Sequence, residues 1–481
     1  MELTKQDHTD IGFEFLMHRL EIITPYGKDR YLHQKPYLPG EEDRLEEELS
    51  AVQFFYQLDP IVTRRISGGL TPFKDIRRSV ERLSHGGVFD EVEFYEVKHF
   101  CYYSEALREL VSELNNPRLE LRPSDEIFRL LDPQANRRLT FHFYDQYDPR
   151  LEGLRSDKRR LDRLYYQDSG DLVAMSERGK VIAQLDEVTW EVRQKLSHQL
   201  RPYVELLKNN MKVVARIDHW LAKATLGKQF HGIRPELQKT VQVSQMRNPW
   251  IEAILREKNR VLQPIDISLD KGCTVLTGAN MGGKSVSLKT LLLNVELFRH
   301  GYYVYAGTAR FPLFSYVSYQ AQDTGSLEQG LSSFGREVVL LRELMKRKHQ
   351  PGLIVLDEPA RGTNPSEASA IVTALCQNYR EANSMLLMVT HFPGVARVAN
   401  RHFQMSGLKL DTDTIRDWSE RESEEALAYL ERQMDYRLME VSADQAVPHE
   451  GIRVMQFLGM PEPFIDTIKH YLGDKNDETK S

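Results

Sequence analysis

A chain of 481 residues, 41% hydrophobic and 28% charged, has a globular composition and, at ~100–200 residues per domain, room for two to four domains. Its formal charge of −6, from 64 basic and 70 acidic residues, excludes a general affinity for nucleic acid and leaves only local patches. No run reaches the ~18 apolar residues of a membrane span, no basic-then-apolar leader opens the chain, and three scattered cysteines exclude a disulfide framework or cysteine-based zinc finger; the expectation is a cytoplasmic chain with no membrane partner.

Residues 1–230 are rich in Leu, Glu and Arg and read as an all-α domain. Leu151, Leu154, Leu161, Leu164 and Tyr165 form a first amphipathic run, followed by the turn signal Asp168-Ser169-Gly170-Asp171. A second run takes Val188, Val192, Leu196, Leu200, Tyr203, Leu207, Met211, Val214, Ile217 and Leu221 at steps of three and four, the spacing of one helix face. The two runs should pair antiparallel. At 1.5 Å per residue the second would extend roughly 50 Å, but Pro202 has no amide hydrogen to donate and should kink or break it. Asp157 and Asp162 interrupt the basic run Arg155, Lys158, Arg159, Arg160 and Arg163, which favours a solvated helix face over a phosphate contact.

Residues 231–404 change in texture. Short apolar runs at 274–277, 302–305, 314–319, 353–356 and 385–390 alternate with helical segments and predict an α/β domain with a mostly parallel sheet. From 405 to 481 the sequence is acidic and reads as a helical segment with a polar tail.

The run 274–277 leads into Gly278-Ala279-Asn280-Met281-Gly282-Gly283-Lys284-Ser285, and a helical run from Val286 to Leu297 follows. This is G-x-x-x-x-G-K-S between a strand and a helix. Glycines there let successive backbone N–H groups turn toward phosphate oxygens, and the helix adds its positive N-terminal end. Gly278, Asn280, Met281, Gly282, Gly283, Lys284, Ser285 and Val286 are the nucleotide-binding candidates. Lys284 would reach the β- and γ-phosphates and Ser285 would give a hydroxyl to Mg²⁺. The apolar run 353–356 ends in Asp357-Glu358, and charge at a buried strand tip needs a partner. Beside a phosphate loop, Asp357 would orient the metal shell and Glu358 would polarise the attacking water as general base. His391 closes the run 385–390, at a strand end that faces the nucleotide in such sheets, and is the candidate γ-phosphate sensor.

These residues resemble the MutS family of ATPases. The loop 277–285 differs from the family's usual form chiefly at Ala279, where proline is common. Asp357-Glu358-Pro359-Ala360-Arg361-Gly362-Thr363 resembles its Walker B motif and following turn, and Thr390-His391 its histidine motif. Gly330-Leu331-Ser332-Ser333-Phe334 resembles the serine motif through which each subunit completes its partner's site. The resemblance therefore implies a homodimer with composite ATP sites, in which Ser332 contacts the γ-phosphate held by the other protomer. ATP and Mg²⁺ are the implied cofactors, with Lys284, Glu358, His391 and Ser332 as the catalytic set and Ser285 and Asp357 as metal ligands. Thr24-Pro25-Tyr26-Gly27, with Arg30, Leu32 and Pro36, resembles the start of the family's helical core, which implies that residues 1–230 are its core and lever domain. Gly451-Ile452-Arg453 through Leu458-Gly459-Met460-Pro461 to Ile468 resembles its C-terminal dimerisation segment. Ser326-Leu327-Glu328-Gln329 and Val286-Ser287-Leu288-Lys289-Thr290 lean toward the branch linked to recombination control.

Departures from the family's pattern matter too. The chain begins at the helical core, so mismatch-recognition and connector domains are expected to be missing. Phe89-Asp90-Glu91 and Phe94-Tyr95-Glu96 mimic the mismatch wedge but read as packing and surface charge. The clamp insertion reduces to about 167–186, and no nuclease-like domain is expected after the ATPase. Two functions stay open. One is an ATP-driven switch on duplex DNA, which the resemblance implies. The other is an ATP-driven factor that remodels a client protein, similar to reactivators of cobalamin-dependent amino-acid mutases. A transporter ATPase has little support, since its Leu-Ser-Gly-Gly-Gln signature is matched only by Ile66-Ser67-Gly68-Gly69-Leu70, far upstream.

Overall fold

Residues 2–167, 172–278, 283–321, 330–392, 394–408, 423–445 and 450–478 are described in the computed structural model. The chain folds into two compact units. One comprises Glu21–Gln34 with Phe54–Lys223, and the other Met1–Leu20 and Lys35–Gln53 with Ala224–Ser481.

The first unit is helical. Thr24 caps the helix Pro25–Leu32 by accepting from the Gly27 amide at 2.9 Å, while its own amide and hydroxyl donate to Asp218 Oδ2 at 2.6 Å. Asp90 and Glu93 form a reciprocal capping box on the helix Glu91–Ser112. Phe89 and Phe94 are fully buried, edge to face at 5.5 Å, so neither can serve as an exposed wedge. The helices Arg150–Gln167 and Leu172–Leu200 run antiparallel, because Arg178 meets Asp162 at 2.6 Å and Arg150 meets Glu191. The segment expected as a reduced insertion is thus mostly the start of a long returning helix. That helix stops at Leu200, a 3₁₀ turn covers Arg201–Tyr203, and a new helix runs Val204–Gln229, the break that Pro202 dictates. Within the basic run, Arg155 bonds Asp145 and the Phe143 carbonyl, and Arg160 meets Asp157 at 3.3 Å.

The second unit carries ten strands among the described residues: β1 (Glu236–Leu237), β2 (Val241–Met246), β3 (Ile265–Leu269), β4 (Gly272–Thr277), β5 (Thr308–Phe311), β6 (Tyr316–Gln320), β7 (Gly352–Asp357), β8 (Met385–Val389), β9 (Arg401–Leu408) and β10 (Met434–Glu440). A six-stranded sheet has the order β10-β9-β4-β8-β7-β6, parallel except for the β9–β10 pair. Helix Lys284–Arg299 packs one face through Leu288, Leu291, Leu292 and Val295. Leu344 of helix Gly330–Arg347, with Val372 and Cys376 of helix Pro365–Tyr379, packs the other. A four-stranded sheet, β1-β5-β2-β3, has no counterpart in the sequence reading.

Three expectations are corrected. Residues 302–305 are not a strand; Val304 makes one isolated bridge to Ile233, and Tyr305 gives its amide to Asn294. A short buried apolar run has no period that separates strand from loop. The stretch after 405 is not wholly helical, since β9 continues to Leu408 and β10 pairs with it. The compact units divide at 223/224, near the expected 230, but not at 404, and residues 1–20 and 35–53 join the second unit. Leu3, Ile11, Leu16, Leu45 and Leu49 share a core with Leu288 and Leu291. Amphipathic spacing shows that a helix has a buried face, not which core receives it.

An ion cluster fastens helix Lys284–Arg299 at its C-terminal end. Glu296 meets Arg299 at 3.1 Å, His8 at 3.4 Å and His300 at 3.5 Å, and Arg299 is bidentate to Glu2. Burial raises the Glu296 carboxyl, but His8, His300 and Arg299 outweigh it and hold the group at about 2. A depressed carboxylate stabilises the fold above its ordinary value of 4.5 and loses that contribution as pH falls through about 2. Urea unfolding should therefore show stability dropping across this window, by about 3 kcal/mol from this group. Glu296→Gln should flatten the drop while lowering stability at pH 7; an unchanged acid profile would remove Glu296 as its source.

Candidate nucleotide site

Strand register brings the site together. Val389 of β8 pairs with Leu276 of β4 on one side and Asp357 of β7 on the other. The ends of these three strands therefore form one row, and the loops after them share an edge of the sheet. Strand ends of a parallel sheet are the usual place for a ligand crevice.

Gly278 has φ +137°, and a Cβ there would stand 2.8 Å from Met405 Cβ. Gly283 caps the following helix at φ +77°, and its Cβ would stand 2.9 Å from Tyr436 Cδ1. Both positions need glycine for conformation and for space. Lys284 is 5% exposed, donates from Nζ to the Gly278 carbonyl at 2.8 Å and lies 4.0 Å from Glu358. Ser285 Oγ donates to Asp357 Oδ2 at 2.6 Å. Burial raises the Asp357 carboxyl and the Ser285 bond partly offsets this. Val286 lies half-buried in the same helix and gives its carbonyl to the Thr290 hydroxyl. Asn280, Met281 and Gly282 lie outside the described residues.

Glu358 (φ +54°) and Ala360 (φ +64°) are both left-handed without being glycine. The Glu358 amide donates to the Val389 carbonyl at 3.1 Å, and its carboxylate lies 3.6 Å from Arg361. His391 is exposed at the end of β8, ring to ring with Phe392 at 4.6 Å, while the Thr390 amide donates to Leu276 at 3.2 Å. Among the described residues its ring makes no hydrogen bond to Lys284, Asp357 or Glu358. Ser332 lies in the first turn of helix Gly330–Arg347, with its side chain outside the described residues. The structure thus joins Lys284, Ser285, Asp357 and Glu358, and leaves His391 beside them at the edge.

Four residues escaped the sequence reading. Met405 and Tyr436, from β9 and β10, stand against Gly278 and Gly283 respectively. Tyr319 on β6 has a buried hydroxyl with no hydrogen-bond partner among the described residues, raised by burial and by the charge of Asp357. Glu337 accepts from the Ala360 amide at 2.6 Å. None belongs to a short motif, so only the fold could bring them in. Below the loop, His402 Nδ1 faces the Ser442 carbonyl at 3.1 Å, which leaves Nε2 of a neutral ring to accept from the Thr277 hydroxyl at 2.8 Å.

The residues fit a magnesium nucleotide. No group of three or more His, Cys, Asp or Glu side chains able to hold a metal exists among the described residues. One hydroxyl and one buried carboxylate are what Mg²⁺ takes when phosphate and water supply its other oxygens. Lys284→Ala should remove nucleotide binding, and Asp357→Asn should remove its dependence on Mg²⁺. Both are read by equilibrium titration with a fluorescent ATP analogue, and wild-type binding by the lysine variant would overturn the loop assignment.

Residues 274–474 match the family model described as MutS domain V. An endonuclease MutS2 of Ligilactobacillus salivarius is 28% identical over 261 residues, 54% of this chain and 33% of its own length. One from Streptococcus sanguinis is 24% identical over 416 residues, 83% of this chain and 51% of the relative. One from Lactococcus lactis subsp. lactis is 31% identical over 219 residues, 44% of this chain and 27% of the relative. The chain therefore spans at most about half the length of these relatives. The MutS resemblance carried by the phosphate loop and the paired acids is borne out.

Proposed function

With a match to MutS domain V over 274–474 as the premise, we propose that this chain is a magnesium-dependent ATPase working as a homodimeric switch on duplex DNA. The observation that carries the reading is the 2.6 Å bond from Ser285 to Asp357, with Glu358 standing 4.0 Å from Lys284. In this reading the Lys284 ammonium leaves the Gly278 carbonyl for phosphate oxygens, and the Gly283 turn aims helix N–H groups at the same charge. Ser285 and Asp357 would hold Mg²⁺, which neutralises phosphate charge when bound. Glu358 takes the proton of the attacking water. His391 is left for the γ-phosphate edge, and Ser332 for the nucleotide of the partner subunit. The relatives' name, endonuclease, favours nucleic acid over a client protein as the object of the switch. At about half their length or less, the match does not extend that name's nuclease activity to this chain.

Glu358→Gln should bind ATP normally and turn over roughly a hundredfold more slowly or worse; a wild-type rate in a steady-state phosphate-release assay removes Glu358 from its role. Adding duplex DNA to the wild-type protein should stimulate hydrolysis, with affinity falling steeply as salt rises. No binding and no stimulation would discard DNA as the partner.

For the shared site, Ser332→Ala and Lys284→Ala protomers are mixed. A heterodimer then keeps one intact site, so the mixture should regain activity that neither parent has; no recovery would discard the composite arrangement.

A further inference from the structure

The Walker B-like turn contains the one pair of left-handed non-glycine residues among the described residues of the nucleotide site, Glu358 and Ala360, separated by Pro359. Each such conformation costs about 1–2 kcal/mol and persists only where its surroundings impose it. Two hydrogen bonds bracket the strained stretch. On the near side the Glu358 amide is tied to the Val389 carbonyl of β8 at 3.1 Å. On the far side the Ala360 amide is tied to Glu337 Oε1 at 2.6 Å. Ala360 is fully buried, so without that oxygen its amide would be a buried donor with no partner.

Glu337 is unlike the β8 anchor in one respect: it belongs to a helix on the face of the sheet and not to the sheet itself. It sits on helix Gly330–Arg347, whose first turn carries Ser332. The helix rests on the sheet through Leu344, with Leu340, Leu341 and Met345 partly buried against the same core, while Val338 and Val339 remain exposed. A rotation or slide of its N-terminal turns would move the Glu337 oxygen relative to Ala360. The turn it holds would relax, and the Glu358 carboxylate would leave its place between Lys284 at 4.0 Å and Arg361 at 3.6 Å.

We propose that Glu337 is a positioning residue that aims Glu358, and so couples the position of helix Gly330–Arg347 to the hydrolytic step. This rests on the reading of Glu358 as general base. Glu337 touches no nucleotide in this account; it acts through the backbone of Ala360. What matters is an acceptor oxygen at that distance, not the negative charge.

The test uses the full-length chain. Glu337→Ala should lower kcat roughly tenfold or more, with the Kd for a fluorescent ATP analogue within about twofold of wild type. Glu337→Gln keeps an acceptor oxygen on a side chain of the same length, and should retain most of the wild-type kcat. Glu337→Asp is one methylene short and should behave like the alanine variant; it replaces that variant if alanine does not fold, as judged by circular dichroism. In the Glu358→Gln background, Glu337→Ala should slow turnover no further, because the group it aims is gone. Unchanged kcat in Glu337→Ala, loss of Kd and kcat together, or a glutamine variant as slow as alanine each overturns the proposal. The underlying reading fails separately: if Glu358→Gln turns over at the wild-type rate, the general-base assignment falls whatever Glu337 does.

Discussion

One hydrogen bond organises the nucleotide unit, that from Ser285 to Asp357, because it ties the helix that follows β4 to the end of β7, a strand with which β4 shares no pairing. β4 and β7 are separated by β8, and only the shared pairing with Val389 places their ends side by side. All five residues of β8 are buried. Burying such side chains is worth about 1.5–3 kcal/mol each, and a slip of one residue would turn every one of them to the opposite face. The same slip would carry Asp357 away from Ser285. The apolar content of β8 therefore sets the distance between a helix start and a carboxylate to which it contributes no side chain.

That rigid row sits beside parts under tension. The phosphate loop needs positive φ at Gly278 and Gly283, and the turn after Asp357 needs it at Glu358 and Ala360. The first pair is inexpensive because glycine has no Cβ; the second is costly and is held by contacts from β8 and from helix Gly330–Arg347. The strain is thus concentrated at the carboxylate read as general base. A site built this way can be altered by moving a helix, without disturbing the sheet.

Much of this was legible in the sequence. The strand runs at 274–277, 353–356 and 385–390 fall in β4, β7 and β8 or their flanks because each is apolar and bounded by turn residues. Pro202 marked its helix break through a missing N–H, and the pairing of the two helices around 168–171 followed from their spacing. The four-stranded sheet was not legible, since β2 and β3 pair with a strand more than forty residues further along the chain or with each other, and their polar faces resemble loops. Nor was Glu337, whose partner is a backbone amide. Hydrogen bonds to the main chain leave no pairing of residue types for a reader to notice.

The misplaced boundary at 404 has a physical consequence. A chain ended there would keep the pairing of β4 with residues 401–404 but lose Met405, the side chain against Gly278, and Tyr436, the one against Gly283. It would also leave β9 as an open edge, with the N–H and C=O groups that β10 now satisfies exposed for other pairing. Gln263 binds both the Asp435 side chain and the Tyr436 amide, so β10 is fastened at its start to the segment before β3. The last residues of β9 and the whole of β10 lie beyond the expected boundary, and they supply the side chains that stand against the two glycines. Gly278 and Gly283 are bounded by these late residues, which explains why the motif could be recognised from eight residues while its neighbours could not.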